Sequence, residues 1–261
     1  MIIFMYFCRM FKIFITLLFS SFVFFIANGQ VLINEYTGAN YDTYTDNYGE
    51  YEDWVELYNP TAIAIDLNGW ALSDKVNNPT KWVIPSSFIV PTNGTVIIYC
   101  SGRDELVGGN AHSNFKITQT KGNEVLMLSD AGGVFQDSIR VSPNQNSHTR
   151  GRETNGSAVW SIFLNGTPNA NNVGAMQEYA TTPVFSQAGG YNAAPVNLTL
   201  SSPDPNITIY YTTNGDEPDN TSNLYSTAIN IATTSVVKAI AYSSDPAIPA
   251  SFIDYHTFFI N

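Results

Sequence analysis

Apolar side chains in this chain recur at every second position in short runs, and no segment sustains the 3.6-residue period of an amphipathic helix. Val196, Leu198 and Leu200 share one side of a run whose other side carries Asn197 and Thr199, and Ile207, Ile209 and Tyr211 oppose Thr208, Tyr210 and Thr212. A period of two sends alternate side chains to opposite faces of a strand, so each run can bury one face. The runs are separated by Asn-Pro, Asn-Gly and Gly-Gly pairs, which tolerate positive φ or remove a ladder donor. The pattern predicts an all-β protein of antiparallel sandwiches.

Eight runs occupy the first half, over residues 31–36, 53–58, 63–72, 81–84, 95–100, 124–129, 134–141 and 159–163. Five more lie at 196–200, 207–213, 228–231, 236–242 and 254–260. Residues 165–174 lack an apolar pattern, and Thr181-Thr182-Pro183 opens the second series. We therefore expect two tandem β-sandwiches, over residues 30–170 and 181–261, joined by a linker at 171–180, the second being the smaller. In the second run Val55 and Leu57 supply a core face, with Trp54, Glu56 and Tyr58 on the other side. Leu67, Trp70 and Leu72 flank Asn68-Gly69, which predicts a bend that turns Trp70 inward. Asn214-Gly215 marks a turn that either closes a hairpin or opens the acidic loop 216–223.

Residues 1–29 have a different character. Arg9 and Lys12 precede an apolar stretch that ends at Ala27-Asn28-Gly29, the small-x-small pattern of a signal peptide cut before Gln30; an uncleaved anchor is the alternative. Cys8 lies inside this leader and Cys100 is the only other cysteine, so the mature chain forms no internal disulfide. An exported protein without such staples fits a bacterial envelope better than a eukaryotic exterior. Removing Arg9 and Lys12 leaves nine basic against 22 acidic residues, a net charge near -13. That charge disfavours nucleic acid and anionic lipid, and it is compatible with solubility or with cation or glycan contact. The expected location is secreted or cell-surface, with no membrane insertion after cleavage.

Ordered motifs add a resemblance. Leu32-Ile33-Asn34-Glu35-Tyr36, then Asp53-Trp54-Val55-Glu56-Leu57-Tyr58-Asn59-Pro60, then Ile65 to Asp74 with Gly69-Trp70 at its centre resemble the lamin-tail family. Trp82-Val83-Ile84-Pro85, Asn114-Phe115-Lys116, Glu124 to Asp130 and Asp137-Ser138 continue it in order, so the resemblance covers about residues 31–170. It implies an immunoglobulin-like sandwich. Gly189-Gly190-Tyr191, Val196 to Pro203, Ile207 to Pro218 and Val237 to Ala241 resemble the small C-terminal sandwich of chitobiase and β-hexosaminidase enzymes, over about 181–261. This implies an immunoglobulin- or fibronectin-like module without the catalytic barrel, hence no inherited glycosidase activity. Larger proteins of similar architecture continue into a spore-coat-type kinase domain, so an alternative role is the accessory region of a larger secreted enzyme.

The residues themselves provide little for catalysis. No Gly-x-Ser-x-Gly elbow and no phosphate-cradling Gly-Lys-Ser/Thr loop occurs. His112, His148 and His256 are scattered without ligand-pair spacing, and Cys100 in an apolar strand reads as a small buried hydrophobe. No catalytic residue and no organic cofactor is expected. The loop from Tyr41 to Asp53 is the exception in composition. Asp42, Asp46, Glu50 and Asp53 are candidate calcium ligands, because calcium takes about six to eight oxygens from flexible loops, although the EF-hand register is missing. Tyr41, Tyr44, Tyr48 and Tyr51 are candidate contacts to an extracellular protein or glycan, or else rings packed over a sheet edge.

Overall fold

The computed structural model describes residues 31–261; the expected leader at 1–29, with Cys8, lies outside the described residues. No helix occurs among the described residues. The first sandwich comprises β1 (Leu32–Thr37), β2 (Trp54–Tyr58), β3 (Ile65–Asp66), β4 (Ala71–Ser73), β5 (Trp82–Val83), β6 (Ile89–Val90), β7 (Thr95–Tyr99), β8 (Glu105–Val107), β9 (Asn110–His112), β10 (Val125–Ser129), β11 (Phe135–Arg140), β12 (Thr149–Arg152) and β13 (Trp160–Phe163). Seven of these form one sheet in the order β13-β12-β1-β2-β7-β9-β8, facing a second sheet, β11-β10-β4-β5. Val55 and Leu57 from β2 meet Leu72, Trp82, Leu126 and Leu128 between the sheets. The run expected at 63–72 is two strands, because Gly69 takes φ 79° and Trp70 N donates to Leu67 O at 2.9 Å. That turn sends Trp70 against the core, as the bend predicted.

One irregularity sets the geometry of the larger sheet. In β1 the register against β2 runs Ile33↔Leu57 and then Glu35↔Glu56, so Asn34 is an extra residue. A bulge of this kind puts two residues opposite one and resets the alternation. Ile33 and Tyr36, three apart, consequently both enter the core. The Ile33 amide donates to Asp137 Oδ2 on β11 at 2.9 Å, and Arg152 Nη2 reaches the same oxygen at 2.7 Å, tying the two sheets together.

Asn34, Glu35 and Glu56 are fully buried, under the segment 165–172. Asn34 Nδ2 donates to Glu56 Oε1 at 2.7 Å, Asn169 N donates to Glu56 Oε2 at 2.7 Å, and Thr167 N and Oγ1 donate to Glu35. Thr149 Oγ1 also donates to Glu35. Burial pushes both carboxyl groups up, Glu56 to about 8 against an ordinary value of 4.5, with the Asn34 bond opposing and the Glu35 charge adding to the rise. The cluster therefore anchors the chain where it leaves the first sandwich.

The second sandwich is built from β14 (Val184–Phe185), β15 (Gly190–Asn192), β16 (Val196–Leu198), β17 (Leu200–Ser201), β18 (Ile207–Thr212), β19 (Asn223–Leu224), β20 (Ile229–Ile231), β21 (Ser235–Ser243) and β22 (Asp254–Ile260). Five strands form the sheet β15-β22-β21-β18-β19, and the pairs β16-β20 and β14-β17 cover its core side. Leu198, Ile209, Val237, Ala239 and Phe258 fill the interior. Gly215, at φ 87°, does not close a hairpin; it opens the excursion 213–222 that returns as β19 beside β18.

Residues 174–182 are bonded to both sandwiches. Met176 pairs with Ile162 of β13, while Gln177 N donates to Ala247 O and Ala180 N to Pro249 O. Tyr179 is the hub of this strap: its hydroxyl lies 3.0 Å from His148 Nδ1 and accepts from Gln145 N at 3.1 Å. Its ring stacks on His148 at 5.9 Å and meets Phe252 edge-on at 5.0 Å. Arg150 clasps Glu178 with two hydrogen bonds of 2.7 and 2.8 Å alongside.

Two outcomes follow from these contacts. Glu56 holds its proton more tightly folded than unfolded, so its contribution to stability is full below its ordinary value and is lost as pH rises through about 8. Thermal unfolding should show wild type losing ground to Glu56→Gln between about pH 5 and pH 8; a constant difference would remove the linkage. Tyr179→Ala should cost about 3 kcal/mol and open the strap to limited proteolysis near residue 180, whereas Tyr179→Phe, losing roughly 1 kcal/mol, should keep it protected. Equal cleavage of both variants and wild type would contradict the hub.

Candidate functional site

The loop that carries the candidate tyrosines and acids lies across the outward face of the seven-stranded sheet, and two short polar side chains hold it. Asn40 Nδ2 donates to Tyr44 O at 2.6 Å and to Glu52 O at 2.8 Å, and its Oδ1 accepts from Thr43 Oγ1 at 2.9 Å. Asp46 Oδ1 accepts from Tyr48 N at 2.8 Å and Glu50 N at 2.9 Å, closing a turn in which Gly49 takes φ 81°. Asn and Asp suit this role because their short side chains replace backbone partners locally.

The four tyrosines divide. Tyr44 packs beside Trp54 and stacks on Tyr99, forming with Ile97 a second small core outside the sheet, and its hydroxyl accepts from Asn169 Nδ2 at 2.8 Å. Tyr41, Tyr48 and Tyr51 remain exposed, Tyr41 by 67%. Tyr48 is nevertheless fixed: Arg103 lies 4.5 Å from its ring centroid and its hydroxyl donates to Glu105 Oε1 at 2.8 Å. A cleft of about 150 Å³ opens beside Tyr44 and Tyr99, bordered by Asn110 and Asn169.

The four acids expected to share a cation face different surroundings. Asp42 accepts from Ser147 Oγ, Asp46 engages its turn through Oδ1 alone, and Glu50 is exposed. Asp53 is half-buried, and burial pushes it up to about 7. Among the described residues no group of three or more His, Cys, Asp or Glu side chains is placed to hold a metal ion.

Behind Tyr48 sits an enclave that residue spacing does not reveal. β7 and β9 pair in parallel, setting Tyr99 beside His112. The imidazole is fully buried, stacked on Tyr99 at 5.1 Å with Tyr48 at 5.6 Å. Nε2 lies 2.7 Å from Asn47 Oδ1 and Nδ1 3.0 Å from Ser101 Oγ. An amide oxygen only accepts, so Nε2 carries the proton and Ser101 donates to Nδ1. Asp46 Oδ2, buried and without a hydrogen-bond partner, lies 4.0 Å from Nδ1 and 3.9 Å from Arg103 Nε. Burial holds His112 below its ordinary value, the Asp46 charge opposing. Chemically the group locks the loop, since Ser101 is 7% exposed and both ring nitrogens are engaged. Cys100 is fully buried, with its thiol pushed up by burial. His148 of the first sandwich packs against the strap, and His256 on β22 of the second sandwich lies beside Phe185.

Both modules match known families. Residues 26–143 match the Lamin Tail Domain, and residues 187–248 match the Chitobiase/beta-hexosaminidase C-terminal domain. The chain is thus similar, in order, to a lamin-tail module and a chitobiase-type module. Both are immunoglobulin-like β modules, and no catalytic domain is matched. No curated protein matches the chain. The lamin-tail match ends before β12 and β13, yet these strands complete its larger sheet.

Because His112 is held below its ordinary value of 6.5, the stability it contributes is full above that value and is lost as pH falls through its folded value. The advantage of wild type over His112→Gln in thermal unfolding should therefore shrink from about pH 7 to about pH 5. An advantage that grows on acidification would reverse the assignment.

Proposed function

We propose that this chain is an exported, non-catalytic binding module whose tyrosine-bearing loop meets an extracellular protein or glycan. The carrying observation is the pinned loop: Asn40 and Asp46 hold the backbone while Tyr41, Tyr48 and Tyr51 stay exposed. Rings offered from a pre-ordered loop bind with little further loss of entropy. Export is supported by the leader pattern of residues 1–29, and the acidic charge argues against nucleic acid and anionic lipid as partners. The two matched families, both accessory β modules, support a role without catalysis.

The test uses residues 30–261 on a glycan array and in pull-downs from cell-surface extracts. A ligand is expected whose affinity falls roughly tenfold when Tyr48→Ala and Tyr51→Ala are combined. Turnover of a substrate with no ligand in either assay would overturn the reading.

A further inference from the structure

The segment 165–172, which closes over Glu35 and Glu56, begins at an Asn-Gly pair. Such pairs are chemically labile, because a glycine amide, unshielded by a Cβ, can attack the carboxamide before it. Five of them lie among the described residues, at 68–69, 93–94, 155–156, 165–166 and 214–215. In four the glycine amide is engaged: Gly69 donates to Ile84 O at 3.0 Å, Gly94 to Pro91 O at 3.1 Å, Gly156 to Asn34 Oδ1 at 3.1 Å and Gly215 to Val236 O at 3.1 Å. The Gly166 amide donates to no partner among the described residues, and Asn165 before it is exposed.

The pair also stands where backbone length matters. A Cβ on Gly166 would lie 2.6 Å from Thr149 Cγ2 and 3.1 Å from Glu35 Oε1, so the main chain here runs close against β12 and β1 with no room for a further methylene. Thr167 follows at once, its amide and hydroxyl bonded to Glu35, and the Asn169 amide follows with its bond to Glu56. These donors offset the burial of two carboxyl groups, and their positions depend on the spacing from residue 165.

We propose that Asn165 is a site of spontaneous deamidation, and that its isoaspartate product releases the segment 165–172 from Glu35 and Glu56. The Gly166 nitrogen loses its proton to solvent base and bonds to Asn165 Cγ, the Cγ–Nδ2 bond breaks, and the side-chain nitrogen leaves as ammonia. Water then opens the succinimide ring at either carbonyl, giving aspartate or isoaspartate. The isoaspartate form routes the backbone through Cβ and Cγ of residue 165, which adds one methylene ahead of Thr167 and draws its donors out of register. Aspartate keeps the original backbone and adds only a charge at an exposed position. This chemistry needs no ligand and stands apart from the binding role of the tyrosine loop.

The test ages the purified protein at mildly alkaline pH and follows each Asn-Gly peptide by mass spectrometry, with electron-transfer fragmentation to separate aspartate from isoaspartate. Residue 165 should gain one mass unit roughly tenfold faster than the other four positions, whose glycine amides must first give up a hydrogen bond. In urea the five rates should converge. Asn165→Gln should remove the gain over the same period. The isoaspartate form, separated by chromatography, should melt several degrees lower than the parent and be cut by protease within 165–172. Asn165→Glu, which carries the charge on an unaltered backbone, should match the parent in both. No gain at residue 165, another pair reacting first, or equal native rates at all five would refute the site. An isoaspartate form as stable and protected as the parent, or Asn165→Glu destabilised to the same degree, would refute the release.

Discussion

A single extra residue, Asn34 in β1, is the constraint on which the rest of this structure depends. The bulge returns Tyr36 to the core alongside Ile33, and it leaves Asn34 and Glu35 on the outward side of the sheet next to Glu56. Buried carboxylates are costly unless their oxygens find donors. The donors come from Thr149, Thr167 and Asn169, so the segment after β13 must lie across the sheet. The bulge in the first strand thereby dictates the path of the chain more than 130 residues later.

That path determines how the modules are joined. Once 165–172 is anchored, the strap continues along β13 through Met176 and reaches the second sandwich through Gln177 and Ala180. Its backbone is bonded on both sides, unlike a solvated linker of free residues. Tyr179 adds a ring that touches His148 of the first module and Phe252 of the second. The surfaces of the two modules are presented as one body, Val31–Asn261.

Much of the fold was legible as alternation. The strands over 54–58 and 207–212 fall where apolar residues repeat every second position, those over 125–129 and 254–260 coincide with short apolar or aromatic runs, and the bend at Gly69 carries its own glycine. The strands that alternation did not reveal are of another kind. Thr149-Arg150-Gly151-Arg152 has no apolar side chain, because it lies between β1 and β13 and is held by backbone ladders plus the Arg152 contacts to Ile33 O and Asp137. β8 and β9 are too short and polar to show a period. Alternation set Trp54 and Glu56 opposite the Val55 and Leu57 face without showing what covers them; they are buried by the loop and the segment 165–172.

The candidate site was legible in composition but not in arrangement. The Tyr- and acid-rich stretch stood out, yet which ring would be core and which exposed depends on Trp54 and Tyr99 lying beneath Tyr44, a contact between distant parts of the chain. His112 illustrates the limit more sharply. A serine hydroxyl bonded to an imidazole is the first half of a nucleophilic constellation, and catalysis also requires that a substrate carbonyl reach the hydroxyl. Here Ser101 is almost entirely covered, Tyr48 and Tyr99 flank the imidazole, and the far nitrogen is bonded to Asn47 of the overlying loop. Exposing the hydroxyl would mean lifting the segment that Asn40 and Asp46 pin down. The contact is therefore more economically explained as the lock that keeps the exposed tyrosines in place.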